Sequence, residues 1–295
     1  MKSKQISKTA AYVAIKFYGL TLIKPYRELF DKEVITFYDR LVGGLPAPLN
    51  NYHSLLKKKW FRSACMNLDE LLLPGDLMHI LMRKLYIKPM IGRLIAKGYT
   101  QILILGAGFD HIGKTYSQSG VTCIELDTAL MTHIKQHFLD QHGYSNNHLT
   151  VYPADLGEGS LSDILPEIPK LDPNAATVAV AEGFFDYLSP ENFSRTLNEL
   201  SEFFNNELKL VSTVFSLQKL NPFHAFVFRN AVRAVGERLE LYATLDNFKD
   251  FLVKNNFKID QDLTAYEMRD GITVPKDFEM AVLPGFYLLE ASRNK

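Results

Sequence analysis

Apolar residues in the first third of the chain recur at the spacing of an α-helix. The first predicted helix begins after Ser7, whose hydroxyl is suited to an N-cap. Its apolar face consists of Ala10, Ala11, Val13, Ala14 and Phe17. Further helices are predicted over 26–41, 52–73 and 76–97, the last of them capped by Asp76. The pattern therefore predicts that the chain begins with a helical region.

After residue 98 the pattern changes to short apolar runs, rich in β-branched residues, that alternate with helical stretches. Strands are predicted over 101–105, 121–126, 148–152, 177–181 and 209–215, and helices between them over 111–118, 128–142, 161–165 and 190–204. Two helices, over 222–235 and 245–255, and two late strands, over 257–260 and 279–290, complete the pattern.

This alternation predicts an α/β fold with a mostly parallel sheet of about seven strands and helices on both faces. The two late strands are expected to pair antiparallel at the sheet edge. We expect residues 1–98 to form a helical cap on the core. Residues 99–295 would then form the α/β domain, with a helical insertion at about 216–243.

Composition narrows the class of protein. The 295 residues include 33 basic and 33 acidic side chains, and this zero net charge argues against a nucleic-acid partner. Cys65 and Cys123 are too few for a disulfide framework or a structural zinc site, so we expect a cytoplasmic protein without a metal. Lys16 interrupts the apolar stretch near the N-terminus, which argues against stable membrane insertion.

A small-residue turn follows the first predicted strand, and acidic residues follow the second. The turn is Gly106, Ala107 and Gly108, and the acids are Glu125 and Asp127. Such a turn lets a ligand approach the backbone closely, and a carboxylate can accept hydrogen bonds from both ribose hydroxyls. The pattern therefore indicates a nucleoside-like ligand, although an ordinary strand-to-helix turn would look similar.

The glycine spacing favours S-adenosylmethionine (SAM) over a nicotinamide cofactor. A dinucleotide site reads G-x-G-x-x-G, in which the third glycine allows a helix to pack closely under the pyrophosphate. Here His111 occupies the third position, and Gly113 comes two residues late. SAM has no pyrophosphate and needs only the turn and the acid.

Ligands of open parallel sheets bind beyond the carboxyl ends of the strands. After the third and fourth strands come Asp155, Leu156 and Glu182, with Asp186 and Tyr187 a few residues later. An aspartate can accept a hydrogen bond from the adenine amine, and a leucine can cover the ring. A helix N-cap or a solvated loop carboxylate is the alternative role for each acid.

Several motifs together resemble the leucine carboxyl methyltransferase family and its bacterial relatives, which are SAM-dependent O-methyltransferases of small molecules. The matching segments are LILGAGFD at 103–110, IELD at 124–127, ADL at 154–156 and EGFFDYLSPE at 182–191. The segment SKTAAYVAIKF at 7–17 resembles the family's N-terminal helix, and Arg83 resembles an arginine that precedes the first strand. The resemblance covers about two thirds of the chain and implies a class I SAM-methyltransferase sheet of the Rossmann type.

The resemblance also implies a role for individual residues. Arg83 would pair with the methionine carboxylate of SAM, and Glu182 would lie near the methionine amino group, with Tyr187 at the same end. The remaining cofactor contacts would be Gly106, Ala107 and Gly108 along the turn, Asp127 and Glu125 at the ribose, and Asp155 and Leu156 at the adenine.

The sequence departs from the family pattern at two places. His111 and Ile112 follow Asp110 where the family has Thr-Arg, and Lys88 stands where an acid is common. The last third of the chain has no assignable match and is expected to help form the acceptor pocket.

These features predict transfer of a methyl group from SAM to a carboxylate or hydroxyl of a small molecule or a protein C-terminus, with S-adenosylhomocysteine (SAH) as the product. A carboxylate acceptor needs no general base, whereas a hydroxyl does. Tyr187, His224 and His53 are the candidates for such a group. The alternatives are an NAD(P)-dependent oxidoreductase and a non-catalytic protein of SAM-binding fold that binds a partner.

Overall fold

Seven strands form a single sheet in a computed structural model of the chain, which describes residues 6–157, 159–234, 236–241 and 243–294. The strands are β1 (Gln101–Leu105), β2 (Thr122–Asp127), β3 (Leu149–Pro153), β4 (Thr177–Ala181), β5 (Leu208–Phe215), β6 (Phe257–Thr264) and β7 (Phe286–Arg293). Their spatial order is β3-β2-β1-β4-β5-β7-β6. The first five run parallel, and β7 lies antiparallel between β5 and β6. The predicted seven-stranded, mostly parallel sheet is therefore confirmed.

Helices precede the sheet and connect its strands. Before β1 lie α1 (Lys8–Thr21), α2 (Lys24–Arg27), α3 (Lys32–Gly44), α4 (Asn51–Lys57), α5 (Lys59–Leu72) and α6 (Asp76–Ala96). Within the sheet region lie α7 (Ile112–Ser117), α8 (Ala129–Gln141), α9 (Leu161–Ile164), α10 (Pro190–Phe203), α11 (Pro222–Ala234), α12 (Leu245–Lys254) and α13 (Ala265–Asp270). Among the described residues, no helix is both long and apolar enough to cross a membrane.

Alternation along the strands distributes the core over both faces of the sheet. Ile102 and Ile104 of β1 pack with α6 on one face, whereas Leu103 and Leu105 pack with α10 and α12 on the other. A third apolar cluster joins α1 and α3 to α8. Because β1, β4 and most of β2 are buried on both faces, their sequences read as continuous apolar runs.

Two helices predicted as continuous are interrupted. The predicted helix over 26–41 breaks at Asp31, whose extended backbone begins α3. The predicted helix over 52–73 breaks at Lys58, which is also extended. Ser7 does cap α1, because its hydroxyl accepts a hydrogen bond from the Ala10 N–H at 3.1 Å. Asp76 does not cap α6, since its carboxylate contacts Lys16 instead.

The C-terminal part of the chain differs in three details from the prediction. The strand predicted over 279–290 begins only at Phe286, and the strand predicted over 257–260 continues to Thr264. Helix α13 was missed, although Thr264 and Glu267 form a capping box at its start. The predicted helix end at Val235 lies outside the described residues.

Glu125 lies inside the protein instead of at the predicted ribose site. It is fully buried in β2, and its Oε2 is 2.6 Å from Nζ of Lys135 on α8. Burial raises the pKa of Glu125, while the ammonium of Lys135 opposes this shift. A Cβ on Gly113 would lie only 2.2 Å from Oε1 of Glu125, so this glycine makes room for the carboxylate. The structure therefore assigns Glu125 to a buried ion pair.

Removing the cation of this pair is predicted to destabilise the fold. Lys135→Met should lower the free energy of unfolding by about 3–5 kcal/mol, because it leaves the Glu125 carboxylate buried and unpaired. Urea unfolding followed by circular dichroism measures the change. The double variant Glu125→Gln, Lys135→Met should recover most of the loss, and Lys254→Met on the surface of α12 should change stability by less than about 0.5 kcal/mol. A loss below about 1 kcal/mol in the single variant would contradict a structural role for the pair.

Candidate functional site

A cavity of about 620 Å³ opens at the carboxyl ends of β1, β2 and β4. Its walls come from the turn after β1, the segments after β2, β3 and β4, and helices α1, α6 and α11. With the exception of Glu125, all residues that the sequence suggested for cofactor binding line this cavity: Arg83, Gly106, Ala107, Gly108, Asp127, Asp155, Leu156, Glu182 and Tyr187. The fold thus brings together side chains separated by more than 100 positions in sequence.

The turn after β1 is tied to the end of β2. Gly106 and Gly108 have φ values of +63° and +46°, a region that favours glycine. Asp127 accepts hydrogen bonds from the N–H of Gly108 and the N–H of Thr128, both at 2.7 Å. Burial raises the pKa of Asp127, and the two N–H donors oppose the shift. Each carboxylate oxygen has two lone pairs, so Asp127 retains acceptor capacity for a ligand.

The segment after β3 forms the next part of the wall. Asp155 accepts a hydrogen bond from the Gly157 N–H at 3.2 Å, and Leu156 is buried beside it. A carboxylate and an apolar side chain therefore lie next to each other at the cavity.

Arg83 and Glu182 form the centre of a buried charge cluster. The Nε of Arg83 donates to Oε1 of Glu182 at 2.8 Å, and Nζ of Lys84 donates to the same oxygen at 2.9 Å. Lys84 also donates to Asp110. Burial acts against the charge of Lys84, but Asp110 and Glu182 outweigh it and hold the Lys84 pKa above its usual value. Burial likewise opposes ionisation of Asp110, yet Lys84 holds the Asp110 pKa below its usual range.

Lys84 and Asp110 were not selected from the sequence as site residues. Asp110 falls within the LGAGFD motif, and Lys84 directly follows Arg83, so both were close to recognised signals. The family places an arginine two residues after this aspartate. In this chain that region turns inward: the His111 ring packs 5.7 Å from the Tyr38 ring and 6.2 Å from the Phe37 ring. Lys84 supplies a cation beside Asp110.

The proposed catalytic side chains differ in position. Tyr187 lines the cavity, and burial, with Glu237 and Asp186 nearby, raises its pKa above the usual value. His224 does not line the cavity, and its Nδ1 lies 2.8 Å from Nδ2 of Asn221 at the start of α11. His53 contacts Asp39 at 3.0 Å and also lies elsewhere. The two histidines were therefore not brought to the site.

A second polar group at the cavity was missed entirely. It consists of Lys16 on α1, Asp69 on α5, and Asp76 and His79 on α6. Nζ of Lys16 lies 2.6 Å from both Asp69 and Asp76, and Asp76 lies 3.5 Å from Nδ1 of His79. No sequence motif joins these residues, because they come from three separate helices.

Solved structures share this architecture. A candidate methyltransferase from Thermobifida fusca YX superposes with a TM-score of 0.60 at 16% identity, over 88% of this chain and 93% of that one. A duf574 family protein from Streptomyces avermitilis MA-4680 superposes with a TM-score of 0.58 at 14% identity, over 88% of this chain and 96% of that one. At these identities the likeness concerns the fold, which is that of class I SAM methyltransferases.

No curated protein sequence matches the chain significantly. The leucine carboxyl methyltransferase family profile, in contrast, matches residues 51–201, which include the glycine turn, Asp127, Asp155 and Glu182. The chain therefore belongs to the leucine carboxyl methyltransferase family, a family of SAM-dependent methyltransferases.

Proposed function

We propose that this protein transfers the methyl group of SAM to an oxygen atom, a carboxylate or a hydroxyl, of a small molecule or a protein C-terminus. The observation that carries the proposal is the single cavity in which the glycine turn, Asp127, Asp155 and the Arg83–Glu182 pair meet. Its volume of about 620 Å³ falls in the usual range for ligand sites, roughly 300–1,000 Å³.

Arg83 is suited to hold the carboxylate of the cofactor. Glu182 accepts from its Nε, and among the residues that the structure describes no hydrogen bond occupies its two terminal nitrogens. Guanidinium groups bind carboxylates through such paired N–H donors. Glu182 would in turn lie near the amino group, which completes recognition of the amino-acid end.

The nucleoside end would be held from the other side of the turn. Gly106 has no side chain, so a ligand can approach its backbone closely. Its position also requires glycine, because a Cβ there would lie 2.7 Å from the Phe184 ring. Asp127 would accept hydrogen bonds from the ribose hydroxyls. Asp155 would accept one from the adenine amine, while Leu156 would cover the ring.

Two features favour SAM over a nicotinamide cofactor. The third position of the dinucleotide pattern holds His111, which is buried against the helical cap and leaves no glycine for close packing. In addition, β7 runs antiparallel between β5 and β6, whereas the dinucleotide fold has the order 3-2-1-4-5-6.

When bound, SAM supplies a methyl group on a positively charged sulfur, which is a ready leaving group. The work left to the chain is to place the two reactants in line and to exclude water. The buried cluster of Arg83, Lys84, Asp110 and Glu182 is held together by its ion pairs, so it can orient the cofactor without reorganising.

The alternative is a non-catalytic protein of this fold. Such a protein would also bind SAH but would not transfer a methyl group.

Loss of the Arg83 charge should weaken the binding of SAH but not of 5′-methylthioadenosine. Arg83→Met removes a charge-assisted contact worth about 1.5–3 kcal/mol, or on the order of 10-fold to 100-fold in Kd. 5′-Methylthioadenosine lacks the amino-acid carboxylate, so its Kd should change by less than about 2-fold. Isothermal titration calorimetry measures both constants.

Arg93→Met is the matched control, because Arg93 lies on the same helix but contacts Glu290, which does not line the cavity. Its Kd for SAH should be that of the unmodified protein. If Arg83→Met weakened both ligands equally, the carboxylate assignment would be wrong. Failure of the unmodified protein to bind SAH at millimolar concentration would remove the proposed function altogether.

Substitution of Asp155 should weaken both ligands. Asp155→Ala deletes the acceptor proposed for the adenine amine and should cost about 1–3 kcal/mol for SAH and for 5′-methylthioadenosine alike. Calorimetry at neutral pH measures the loss, and Asp163→Ala on α9 serves as the control. Unchanged affinity for both ligands would show that the adenine binds elsewhere.

A further inference from the structure

His79 is a buried histidine in the cavity that neither the family motifs nor the proposed cofactor contacts use. It lies one helical turn before Arg83 on α6, so the two side chains share a helix face. Its ring centroid is 6.2 Å from that of Phe215 and 4.4 Å from that of Phe286. The residue therefore lies next to the proposed binding position of the amino-acid end of SAM, within an apolar wall.

The two ring nitrogens of His79 have different surroundings. Nδ1 lies 3.5 Å from Oδ1 of Asp76, and it has no well-aligned hydrogen-bond partner. Asp76 is itself anchored by Lys16 at 2.6 Å. With Nδ1 turned to Asp76, Nε2 is the nitrogen left for a ligand in the cavity. A carboxylate 3.5 Å from Nδ1 favours the tautomer that carries the proton on Nδ1 and leaves Nε2 as the acceptor.

The charges at this end of the cavity disfavour an anionic acceptor. Two carboxylates, Asp69 and Asp76, share the single cation Lys16 at 2.6 Å each. Burial and Asp76 raise the pKa of Asp69, whereas Lys16 and His79 hold the pKa of Asp76 below its usual range. Glu237, also buried, lines the same cavity. Of the other cations among the described lining residues, Arg83 and Lys84 are paired with Glu182 and Asp110, and Arg83 is the group proposed for the cofactor carboxylate. Arg238 is exposed and therefore screened by water. A carboxylate placed here would meet like charges, which is an unfavourable contact.

Apolar side chains form the remaining lining of the cavity near His79. Phe215 and Phe286 contact the His79 ring, and the cavity lining also includes Leu72, Leu73, Phe228 and Val232. Such a wall accommodates an apolar body, while a single polar group fixes its orientation.

We propose that this end of the cavity binds an uncharged hydroxyl compound with an apolar body, and that Nε2 of His79 accepts its hydroxyl proton. The proposal rests on the proposed methyltransferase function and narrows its acceptor to a hydroxyl. As the proton moves to Nε2, the oxygen forms a bond to the methyl carbon, and the methyl–sulfur bond breaks with its electron pair remaining on sulfur. The imidazolium that results is stabilised by Asp76 and later releases its proton to solvent.

The surroundings of His79 leave the imidazole neutral before the reaction. Burial lowers the pKa of His79 below its usual value of 6.5, and Arg83 adds to this, whereas Asp76 and Glu182 act in the opposite direction. The other charged groups on the elements packed around it are Lys16 and Asp69. The base form is therefore the resting form at pH 7, and activity should fall as the pH drops through the His79 pKa.

A matched pair of probes tests the acceptor class. Incubation with radiolabelled SAM and either 2-naphthol or 2-naphthoic acid should label the naphthol at least 10-fold faster than the acid. Preferential labelling of the acid, or of neither probe at millimolar concentration, would overturn the proposal. Calorimetry with SAH on the same sample separates the two failures, because bound SAH without transfer to naphthol leaves the cofactor site intact, whereas absent binding removes the methyltransferase itself.

The pH profile tests the role of His79. For the unmodified protein, kcat with 2-naphthol should rise with pH up to an apparent pKa below 6.5 and then level off. His79→Gln should lower kcat on the order of 100-fold to 10,000-fold and abolish the rise of kcat with pH, called here the acidic limb of the profile. The Kd for SAH should stay within about 2-fold. His133→Gln, on the exposed face of α8, should behave as the unmodified protein. A flat profile in the unmodified protein would exclude His79 as the base without reference to any variant.

Asp186 is the rival proton acceptor. Its carboxylate lines the cavity and accepts from the Phe215 N–H at 3.2 Å, and burial raises its pKa to about 7. If Asp186→Asn abolished the limb and His79→Gln did not, the proposal would be wrong. Asp76→Asn should shift the limb to lower pH, because a positioning carboxylate raises the pKa of the imidazole.

Discussion

One carboxylate oxygen of Glu182 joins helix α6 to the sheet. It accepts from Nε of Arg83 and from Nζ of Lys84, and these are consecutive residues of α6. Buried charges are tolerated only when they are paired, so this contact constrains where α6 can lie on the sheet. Once α6 is fixed there, Arg83 and His79 occupy the same cavity as the turn after β1. The proposed site thus depends on an ion-pair cluster in which Glu182 lies 99 positions from Arg83 and 98 from Lys84 in sequence.

Glu125 and Asp127 show that position along a strand gives two similar carboxylates different surroundings. Both point to the same face of β2, because they are two residues apart. Asp127 lies at the carboxyl end, where backbone N–H groups of the adjoining turn reach it. Glu125 lies two residues earlier on the strand, inside the protein, where it packs against Gly113 and pairs with Lys135. The same residue class therefore forms a cavity-lining acceptor at one position and an internal ion pair at the other.

Residues from the first helix and from the last third of the chain meet at one wall of the cavity. The hydroxyl of Ser7, at the start of α1, donates to Glu237 at 2.8 Å, and both residues line the cavity. Helix α11 contributes Phe228 and Val232 to the same wall. The expectation that the last third helps form the acceptor pocket depends on these contacts. Under the proposals above, these acids and apolar groups would face the acceptor, and the residues proposed to bind the cofactor would lie further along the cavity.

Local patterns in the sequence were sufficient for most of the sheet. Apolar runs, the glycine turn and the residues after each strand predicted the strands and the part of the cavity wall that lies at the strand ends, because strand ends converge wherever parallel strands are adjacent. Periodicity could not reveal the breaks at Asp31 and Lys58, since apolar spacing continues across them. Nor could it reveal the pairing of Lys84 with Asp110, the burial of Glu125, or the meeting of Lys16, Asp76 and His79. Those contacts join residues from separate elements, and their charges acquire partners only when the helices pack on the sheet.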